Sequence, residues 1–286
     1  MSIPHCLRPL LHKIPSLLAG MMLAGVMAGT AGVAMATETG LQAVIDGEHR
    51  SAEERARDVY RHPRETLEFF DVQPDMTVLE VWPGANGWYT GILAPYLRAQ
   101  GTLYAAHFRP DSQVDYFRNA RQAFDKKMAD RPDLFDRVTV IAFEPPHLVE
   151  LAPAGSVDRV LTFRNVHNWF MNGGEEAVLT AFRAFYKTLK PGGVLGVVDH
   201  RLPADSPADR QARSGYLHEE MVVRLAREAG FELEANSSVN ANPKDTADHP
   251  SGVWSLLPAL RVEESLREKY RNIGESDRMT LKFVKL

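Results

Sequence analysis

The chain has 286 residues, of which 44% are hydrophobic and 24% are charged, and its formal net charge is −4. This balance is typical of a globular protein that is large enough for one sizeable core, built as one α/β domain or two small ones. The net acidity and the lack of a basic stripe in the sequence argue against nucleic acid as a partner.

The first 36 residues differ from the rest of the chain. Arg8 and Lys13 precede a run without charge from Ile14 to Ala36, and Ala34-Met35-Ala36 has the small-x-small pattern of a signal-peptidase site. The sequence therefore predicts a signal peptide over residues 1–36, cleavage after Ala36, and an exported, periplasmic protein. The uncharged run is also long enough to span a bilayer, so an uncleaved membrane anchor is the alternative.

Cleavage would change the chemistry that is available to the mature protein. The leader carries two basic residues and no acidic ones, so its removal makes the formal charge two units more negative than −4. It also carries Cys6, the one cysteine of the chain. Disulfides, zinc–thiolate sites and cysteine nucleophiles are therefore excluded from the mature protein.

The first half of the mature chain predicts strands that alternate with helices. Ser51 and Glu54 form a capping-box pattern at the start of a helix that Pro63 should end, and a second short helix follows at 63–72. Later apolar runs predict strands at 77–81, 102–107, 138–142, 157–163 and 194–200. Amphipathic stretches predict helices at 87–100, 114–129 and 175–190. This alternation predicts a parallel sheet that is covered on both faces.

The tail of the chain has a different pattern. A helix that ends at Gly230 is followed by strand-like residues 231–239, a polar segment at 240–254, a charged helix at 262–270 and a final strand at 279–286. A strand pair that ends the chain after a helix predicts an antiparallel edge on the sheet. Because the sequence has no linker or internal repeat, residues 37–286 are predicted to form one domain, with 37–75 as its helical lead-in.

Three segments, in this order, carry a resemblance to a known family. They are VLEVWPGANGWYT at the first strand, GSVDRVLTFRNVHNW around the fourth and LKPGGVLGVVDHR at the fifth. With the later REAGFEL and the terminal strand, they resemble the class I S-adenosylmethionine-dependent methyltransferases. Within that superfamily the chain is similar to an exported branch of predicted methyltransferases that have a WPG-type first motif. The resemblance covers nearly all of the mature chain.

The resemblance implies a fold, a cofactor and an activity. The fold is α/β and Rossmann-like, a doubly wound seven-stranded sheet that is mostly parallel and has an antiparallel last strand. The cofactor is S-adenosyl-L-methionine, held across the carboxyl ends of the first strands of one methyltransferase-like domain. The activity is methyl transfer to a small-molecule acceptor whose identity stays unknown.

The turn after the first strand is the expected site of the methionine part of the cofactor. This cofactor has no phosphate group, so the glycines are needed for close approach of the backbone to its methionine part. Gly84 and Gly87 allow that approach. Glu80 matches the acidic residue with which the family ends this strand, and its alternative role is to brace the turn or cap the next helix. Trp82 stands where the family usually has its first glycine.

The cofactor contacts after the second and third strands depart from the family pattern. Where the family has an acid that accepts both ribose hydroxyls, this chain has His107, and an imidazole accepts only one hydrogen bond. Asp111 could reach in instead, or it could cap the next helix. Phe143 and Glu144 occupy the place where the family often reads the adenine, and a solvated Glu144 is the alternative.

Residues 164–170, RNVHNWF, follow the fourth strand and are expected to line the mouth where cofactor and acceptor meet. Arg164 and Asn165 are assigned to the cofactor. His167 is the candidate base for an oxygen or nitrogen acceptor, and Asn168 would orient the acceptor. The alternative is that His167 braces the loop by hydrogen bonds.

A second candidate cluster, Asp199-His200-Arg201, ends the fifth strand. His200 is a candidate base or acceptor ligand whose tautomer Asp199 could fix, and an ion pair between Asp199 and Arg201 is the alternative. The polar segment at 240–254 predicts either an active-site lid or a rigid, internally bonded loop. Residues 275–278 predict a tight turn with an internal ion pair.

Two other classes of function stay open at this stage. S-adenosylmethionine is made in the cytoplasm, so an exported protein with this fold could instead be a non-catalytic, periplasmic binding protein for another small ligand. A metal site is the third possibility, but its candidates lack the close spacing of known ligand motifs, and no metal is predicted. Those candidates are His167, His200, His218, His249, Asp199 and Asp245.

Overall fold

The structure is a computed structural model, and it describes residues 40–286. The predicted signal peptide, its cleavage after Ala36 and the alternative membrane anchor lie outside the described residues. Among the helices that are described, none is both long enough and apolar enough to cross a membrane.

Seven strands form one twisted sheet at the centre of the molecule. Their bounds are β1 Thr77–Val81, β2 Thr102–His107, β3 Val138–Ala142, β4 Val157–Phe163, β5 Leu189–His200, β6 Glu232–Ser237 and β7 Arg278–Val284. The order across the sheet is β3-β2-β1-β4-β5-β7-β6, and β7 is antiparallel to both of its neighbours while the other pairs are parallel. The predicted fold class is therefore confirmed.

The first four strands begin and end where the apolar runs predict, and the predicted antiparallel strand pair at the end of the chain is confirmed. Within this pair β7 lies between β5 and β6, so β6 is the outermost strand on this side. The burial patterns explain this order. Nearly every residue of β7 is buried, as an interior strand requires, whereas β6 alternates between exposed and half-buried positions.

Helices cover both faces of this sheet. They are α1 (residues 40–45 in the described part), α2 Ala52–Arg55, α3 Asp58–Arg61, α4 Pro63–Phe69, α5 Thr90–Leu97, α6 Asp115–Asp130, α7 Pro132–Phe135, α8 Val166–Thr188, α9 Gln211–Ser214, α10 Glu219–Glu228 and α11 Arg267–Ile273. The predicted capping box is present, since Ser51 and Glu54 each bond the other's backbone N–H. The helix that it starts is broken after one turn, so α2 and α3 replace the single predicted helix.

The longest helix, α8, begins at Val166, immediately after β4. The segment that was expected to line the cofactor mouth, residues 164–170, therefore comprises two residues before this helix and its first turn. Gly173 and Gly174 have non-helical backbone angles and kink the helix. The part beyond this kink is the amphipathic stretch that the sequence predicts from residue 175.

Two hydrophobic clusters cover the two faces of the sheet, and alternation along the strands decides which side chains reach each one. Leu195 and Val197 of β5 pack with α8, whereas Val198 packs with α4 and α5. The same alternation continues at the end of β5, so Asp199 lies on the α8 side and His200 on the other. This places both at the carboxyl end of the sheet, where β1, β4 and β5 meet.

Candidate functional site

Two adjoining cavities open at the carboxyl ends of the strands. The strand-end cavity has a volume of about 360 Å³ and is lined by residues that follow β1, β2, β4 and β5 and by Trp254. The lead-in cavity, of about 620 Å³, lies between the turn after β1 and the helices α2 and α3. Pro83, Gly84 and Arg164 line both cavities. The two spaces are therefore neighbours that share a wall.

His167 and Asp199 form a buried hydrogen-bonded pair at the strand-end cavity. The distance from His167 Nδ1 to Asp199 Oδ1 is 2.8 Å, and the backbone N–H of His167 donates to Asp199 Oδ2 at 3.2 Å. Asp199 Oδ1 also accepts from the backbone N–H of His200 at 2.7 Å. With both carboxylate oxygens accepting, His167 carries its proton on Nδ1, and Nε2 keeps its lone pair. His167 lines the cavity, as predicted for a base.

The predicted partners of Asp199 were wrong in two respects. Asp199 fixes the tautomer of His167 and not that of His200, because alternation along β5 turns it toward α8. It also makes no ion pair with Arg201 within residues 40–286, since Arg201 pairs with Asp277 at 2.9 Å and with Glu219 at 3.5 Å.

His200 lies beside His167, with 4.8 Å between the ring centroids. Its Nδ1 is 2.5 Å from Ser276 Oγ. Burial, followed by the nearby His167 and Arg278, holds the pKa of His200 well below its ordinary value. His200 is therefore a neutral neighbour of the His167–Asp199 pair and lines the same cavity.

Only half of the metal-ligand candidates come together. His167, Asp199 and His200 have ligand atoms within 4.8 Å of one another. His249 instead contacts Asp245 at 2.8 Å in the 240–254 loop. Because the oxygens of Asp199 and Nδ1 of His167 are already hydrogen-bonded to each other and to backbone N–H groups, the cluster fits a hydrogen-bonded pair, and we assign no metal to it.

The 240–254 loop is internally bonded around one carboxylate. Asp245 accepts from the hydroxyl of Tyr216 at 3.0 Å, from the backbone N–H of Ala247 at 2.9 Å and from that of Asp277 at 2.7 Å. These bonds support the rigid-loop interpretation over the lid.

The turn after β1 has the backbone conformations that its glycines permit. Gly84 has φ +70°, and a Cβ placed on it would meet no atom within 4 Å, so it opens onto both cavities. Gly87 has φ +50°, but a Cβ there would lie 2.8 Å from the Phe124 ring and 2.9 Å from Thr90 Oγ1. Gly87 is thus required by internal packing, whereas Gly84 leaves space for a ligand.

Glu80 is buried beneath this turn. Its Oε2 accepts a hydrogen bond from Thr90 Oγ1 at 2.6 Å, at the first residue of α5. Burial raises the pKa of Glu80 to about 7, against the opposing effects of Thr90 and Lys127. In this structure the Glu80 side chain braces the turn, which is the alternative role that the sequence left open.

Trp82 extends from the same turn across the ends of β2 and β3. It has φ +46°, and its indole N–H donates to the carbonyl of Phe143 at 2.7 Å. Its ring packs against Phe108 at 4.6 Å and Trp169 at 5.6 Å between centroids. The indole therefore covers Phe143 on the side where the resemblance places the adenine.

The predicted ribose and adenine contacts are engaged elsewhere. His107 accepts from the backbone N–H of Phe108 at 2.7 Å through Nδ1 and donates to the carbonyl of Gly84 at 3.2 Å through Nε2, and burial lowers its pKa to about 4. Both ring nitrogens are thus occupied by backbone groups. The prediction that His107 receives the ribose is not supported by this geometry.

The two predicted acidic contacts of the cofactor also lie elsewhere. Asp111 is 68% exposed and pairs with Arg109 at 2.7 Å. It does not cap α6 either, because that helix begins at Asp115 with Val114 as its N-cap. Glu144 accepts from the backbone N–H of Arg109 at 2.9 Å and so joins two loops. In this structure Asp111 makes a surface contact and Glu144 a loop contact, and their cofactor roles stay predictions.

The segment after β4 meets the cavity as predicted. Asn165 donates to the carbonyl of Val81 at 2.8 Å, which ties the ends of β4 and β1 together, and Asn168 lies one turn further along the cavity wall. Arg164 has φ +63°, and burial lowers the pKa of its guanidinium to about 10. Within residues 40–286 no hydrogen bond engages that guanidinium.

Sequence reasoning missed the residues that join the lead-in to the end of the chain. The predicted ion pair of the 275–278 turn is present, with 2.6 Å between Arg278 Nη2 and Glu275 Oε2. Glu275 Oε1 also accepts from Arg57 Nε at 2.6 Å, and Arg61 Nε lies 3.5 Å from Oε2. The spacing of Arg57 and Arg61 by four residues on helical sequence was the available signal. Nothing local in the sequence indicates a partner more than two hundred positions away.

Comparisons with solved structures define the class of fold. A SAM dependent methyltransferase from Aquifex aeolicus shares 15% identity with this chain at a TM-score of 0.53, over 87% of this chain and 98% of that one. The [4+2]-cyclase SpnF shares 18% identity at a TM-score of 0.54, over 89% of this chain and 95% of that one. No protein-family model matches the sequence, and no curated protein is detectably similar to it. The chain thus has the class I methyltransferase fold, which at these identities does not by itself fix a reaction.

Proposed function

We propose that this protein transfers a methyl group from S-adenosylmethionine to a small-molecule acceptor, with His167 as the general base. The observation that carries the proposal is the His167–Asp199 pair at the strand-end cavity, where the 2.8 Å contact leaves Nε2 of a cavity-lining histidine free to accept a proton. The likeness in fold to a SAM dependent methyltransferase supports the choice of cofactor.

The cavity fits much of this cofactor. The open space at Gly84 would take the methionine part close to the backbone, and the rings of Trp82 and Phe108, which line the same cavity, would border the adenine. The ribose has no carboxylate partner at the end of β2, because His107 is bonded to backbone groups. Its hydroxyls would be met by other groups than in the family pattern.

The residues that line the strand-end cavity have different roles in the proposed methyl transfer. When bound, the cofactor supplies a methyl group on a positively charged sulfur, and its departure leaves a neutral thioether. His167 Nε2 takes the proton of an oxygen or nitrogen acceptor, and Asp199 stabilises the imidazolium that forms. His200 stays neutral beside them, and Trp254 with Asn168 narrows the cavity around the acceptor.

A His167→Asn variant tests this assignment. We expect methyl transfer from labelled S-adenosylmethionine, scored across a panel of small acceptors, to fall by about 10²- to 10⁴-fold when the base is lost. The matched control is His218→Asn, since His218 precedes α10 and lies outside the strand-end cavity. Equal rates in wild type and His167→Asn would remove His167 from the mechanism.

A non-catalytic binding protein for another small ligand is the second candidate. It is favoured by Trp82, which covers the expected adenine side, and by the occupied nitrogens of His107. A protein that binds no S-adenosylmethionine at millimolar concentration, yet retains a small molecule through purification, would support this candidate over the enzyme.

We also propose that the protein is exported to the periplasm and cleaved after Ala36, which rests on the leader-like sequence of residues 1–36. N-terminal sequencing of the protein from a periplasmic fraction should begin at Thr37. Recovery of the intact chain from the membrane fraction would instead support the retained anchor.

A further inference from the structure

Four arginines converge on one buried carboxylate beside the lead-in cavity. Glu275 Oε1 accepts from Arg57 Nε at 2.6 Å, and Oε2 accepts from Arg278 Nη2 at 2.6 Å with Arg61 Nε at 3.5 Å. Burial alone would raise the pKa of Glu275, but Arg278, Arg61, Arg164 and Arg57 more than offset it and lower the pKa to about 2. The carboxylate is thus ionised, and it faces an excess of positive charge.

Two of these guanidinium groups have N–H donors without a hydrogen-bond acceptor among the described residues. Arg61 is only 2% exposed and stacks on Trp88 at 4.5 Å, and its Nε and Nη1 have no hydrogen-bond partner among the described residues. Arg164 also lacks a hydrogen-bond partner for its guanidinium within residues 40–286. Both side chains line the lead-in cavity. Buried guanidinium N–H groups without a hydrogen-bond acceptor are costly, so the two free N–H positions of Arg61 favour an acceptor that the described residues do not provide.

The charged residues that line the lead-in cavity are mostly basic. Its lining includes Arg57, Arg61, Lys127 and Arg164 against two carboxylates, Glu53 and Glu54. Lys127 bonds Glu54 at 2.8 Å, and these two largely cancel. Glu275 and Arg278, which do not line this cavity, cancel in the same way. Of the remaining lining charges, Arg57, Arg61 and Arg164 are positive and only Glu53 is negative, so the cavity carries a net positive charge.

We propose that this arginine cluster binds an oxyanion, a carboxylate or phosphate group, of a small molecule that occupies the lead-in cavity. The planar fork of a guanidinium matches either group through paired charge-assisted hydrogen bonds. Arg164 lines both cavities, and His167 lines the strand-end cavity, so an anion held at Arg164 would allow the rest of the molecule to reach the base. Assigning the anion to the methyl acceptor rests on the proposed methyl transfer, whereas the anion site itself does not.

Anion binding to the protein without cofactor tests the site directly. Titration calorimetry with succinate and with inorganic phosphate, at constant ionic strength set by chloride, should give saturable binding to the wild type. Arg164→Gln should weaken it by about tenfold or more, because a charge-assisted hydrogen-bonded pair is removed. The matched control is Arg213→Gln, which removes one positive charge from a residue that is 75% exposed and remote from the cavity.

A second variant keeps the test decisive if Arg164→Gln folds poorly. Glu275→Gln should lower the melting temperature in chloride, and succinate or phosphate should raise that temperature more in this variant than in the wild type. The reason is that the added anion replaces the missing carboxylate. Equal anion responses in wild type, Arg164→Gln and Arg213→Gln, or no saturable binding, would overturn the anion site.

Competition between S-adenosylmethionine and the test anions then shows whether the anionic group belongs to the acceptor or to the cofactor. If the acceptor supplies it, a saturating concentration of S-adenosylmethionine should leave the affinity for succinate or phosphate unchanged or improved. If S-adenosylmethionine displaces these anions, the acceptor assignment is wrong and the cluster belongs to the cofactor. Failure of the cofactor to bind at all, with anion binding intact, would count against the proposed methyl transfer and leave the anion site standing.

Discussion

At the scale of single residues, the site depends on which polar atoms remain unengaged. His167 keeps Nε2 free because Asp199 holds its other nitrogen at 2.8 Å. His107, by contrast, has both nitrogens bonded to the backbone, although its place at the end of β2 suggested a ligand contact. The sequence identifies the residue type at each strand end, and only the folded geometry shows which lone pairs are free.

An Asp199→Asn variant tests the orientation of His167. The amide would donate to Nδ1 and leave the proton on Nε2, so the base would face the acceptor in the wrong tautomer. We expect methyl transfer to fall by about 10²-fold or more while cofactor binding persists. The pH profile is the second measurement, since a purely structural role would lower the rate at every pH equally. An unchanged rate in Asp199→Asn would contradict the role of the pair.

His107 makes stability depend on pH. Its pKa falls from an ordinary value of about 6.5 in the unfolded chain to about 4 in the folded protein. The unfolded state therefore binds more protons between these values, and stability is lost as pH falls through this window. From His107 we expect the free energy of unfolding to drop by about 2 kcal/mol between pH 7 and pH 5.

Urea unfolding at pH 7 and pH 5, compared between wild type and the non-titrating His107→Gln, measures this contribution. The variant should show a smaller drop, even if its stability is lower at both pH values. A drop of the same size in both proteins would mean that the His107 ring is not buried as a neutral group.

At the scale of elements, the lead-in helices are part of the fold and of the site. Helix α4 buries Leu67 and Thr66 against the sheet, and α3 supplies Arg61 to the lead-in cavity. The sequence predicts a helix at the capping box, and this is confirmed. It does not predict the break between α2 and α3, where Arg57 donates to Glu275 at the far end of the chain.

Leu67→Ala tests whether the lead-in is integral. Leu67 is fully buried, so we expect a loss of about 2–5 kcal/mol in the free energy of unfolding from the cavity that is left. Leu266→Ala is the matched control because Leu266 is 37% exposed, and it should change stability by less than about 0.5 kcal/mol. Chemical denaturation of both variants gives the comparison, and equal small losses would mean that α4 is a loosely attached segment.

At the scale of the whole molecule, the sheet was largely predictable and the site only partly. Long apolar runs set the first four strands, and the resemblance supplied the antiparallel β7. The position of β7 inside the sheet follows from burial on both of its faces, which one short run of residues does not reveal. The arginine cluster joins residues from both ends of the domain and from the end of β4, so no local pattern could assemble it.

The central claim is that the turn after β1 is a working site for S-adenosylmethionine, and one calorimetric comparison tests it most directly. Gly84 and Gly155 have φ values of +70° and +66°, and a Cβ on either would meet no atom within 4 Å. Gly84→Val and Gly155→Val therefore carry similar backbone strain, but only Gly84 lines the cavities. We predict micromolar cofactor binding in wild type and Gly155→Val and its loss in Gly84→Val. No binding to the wild type, or equal binding to both variants, would contradict the account.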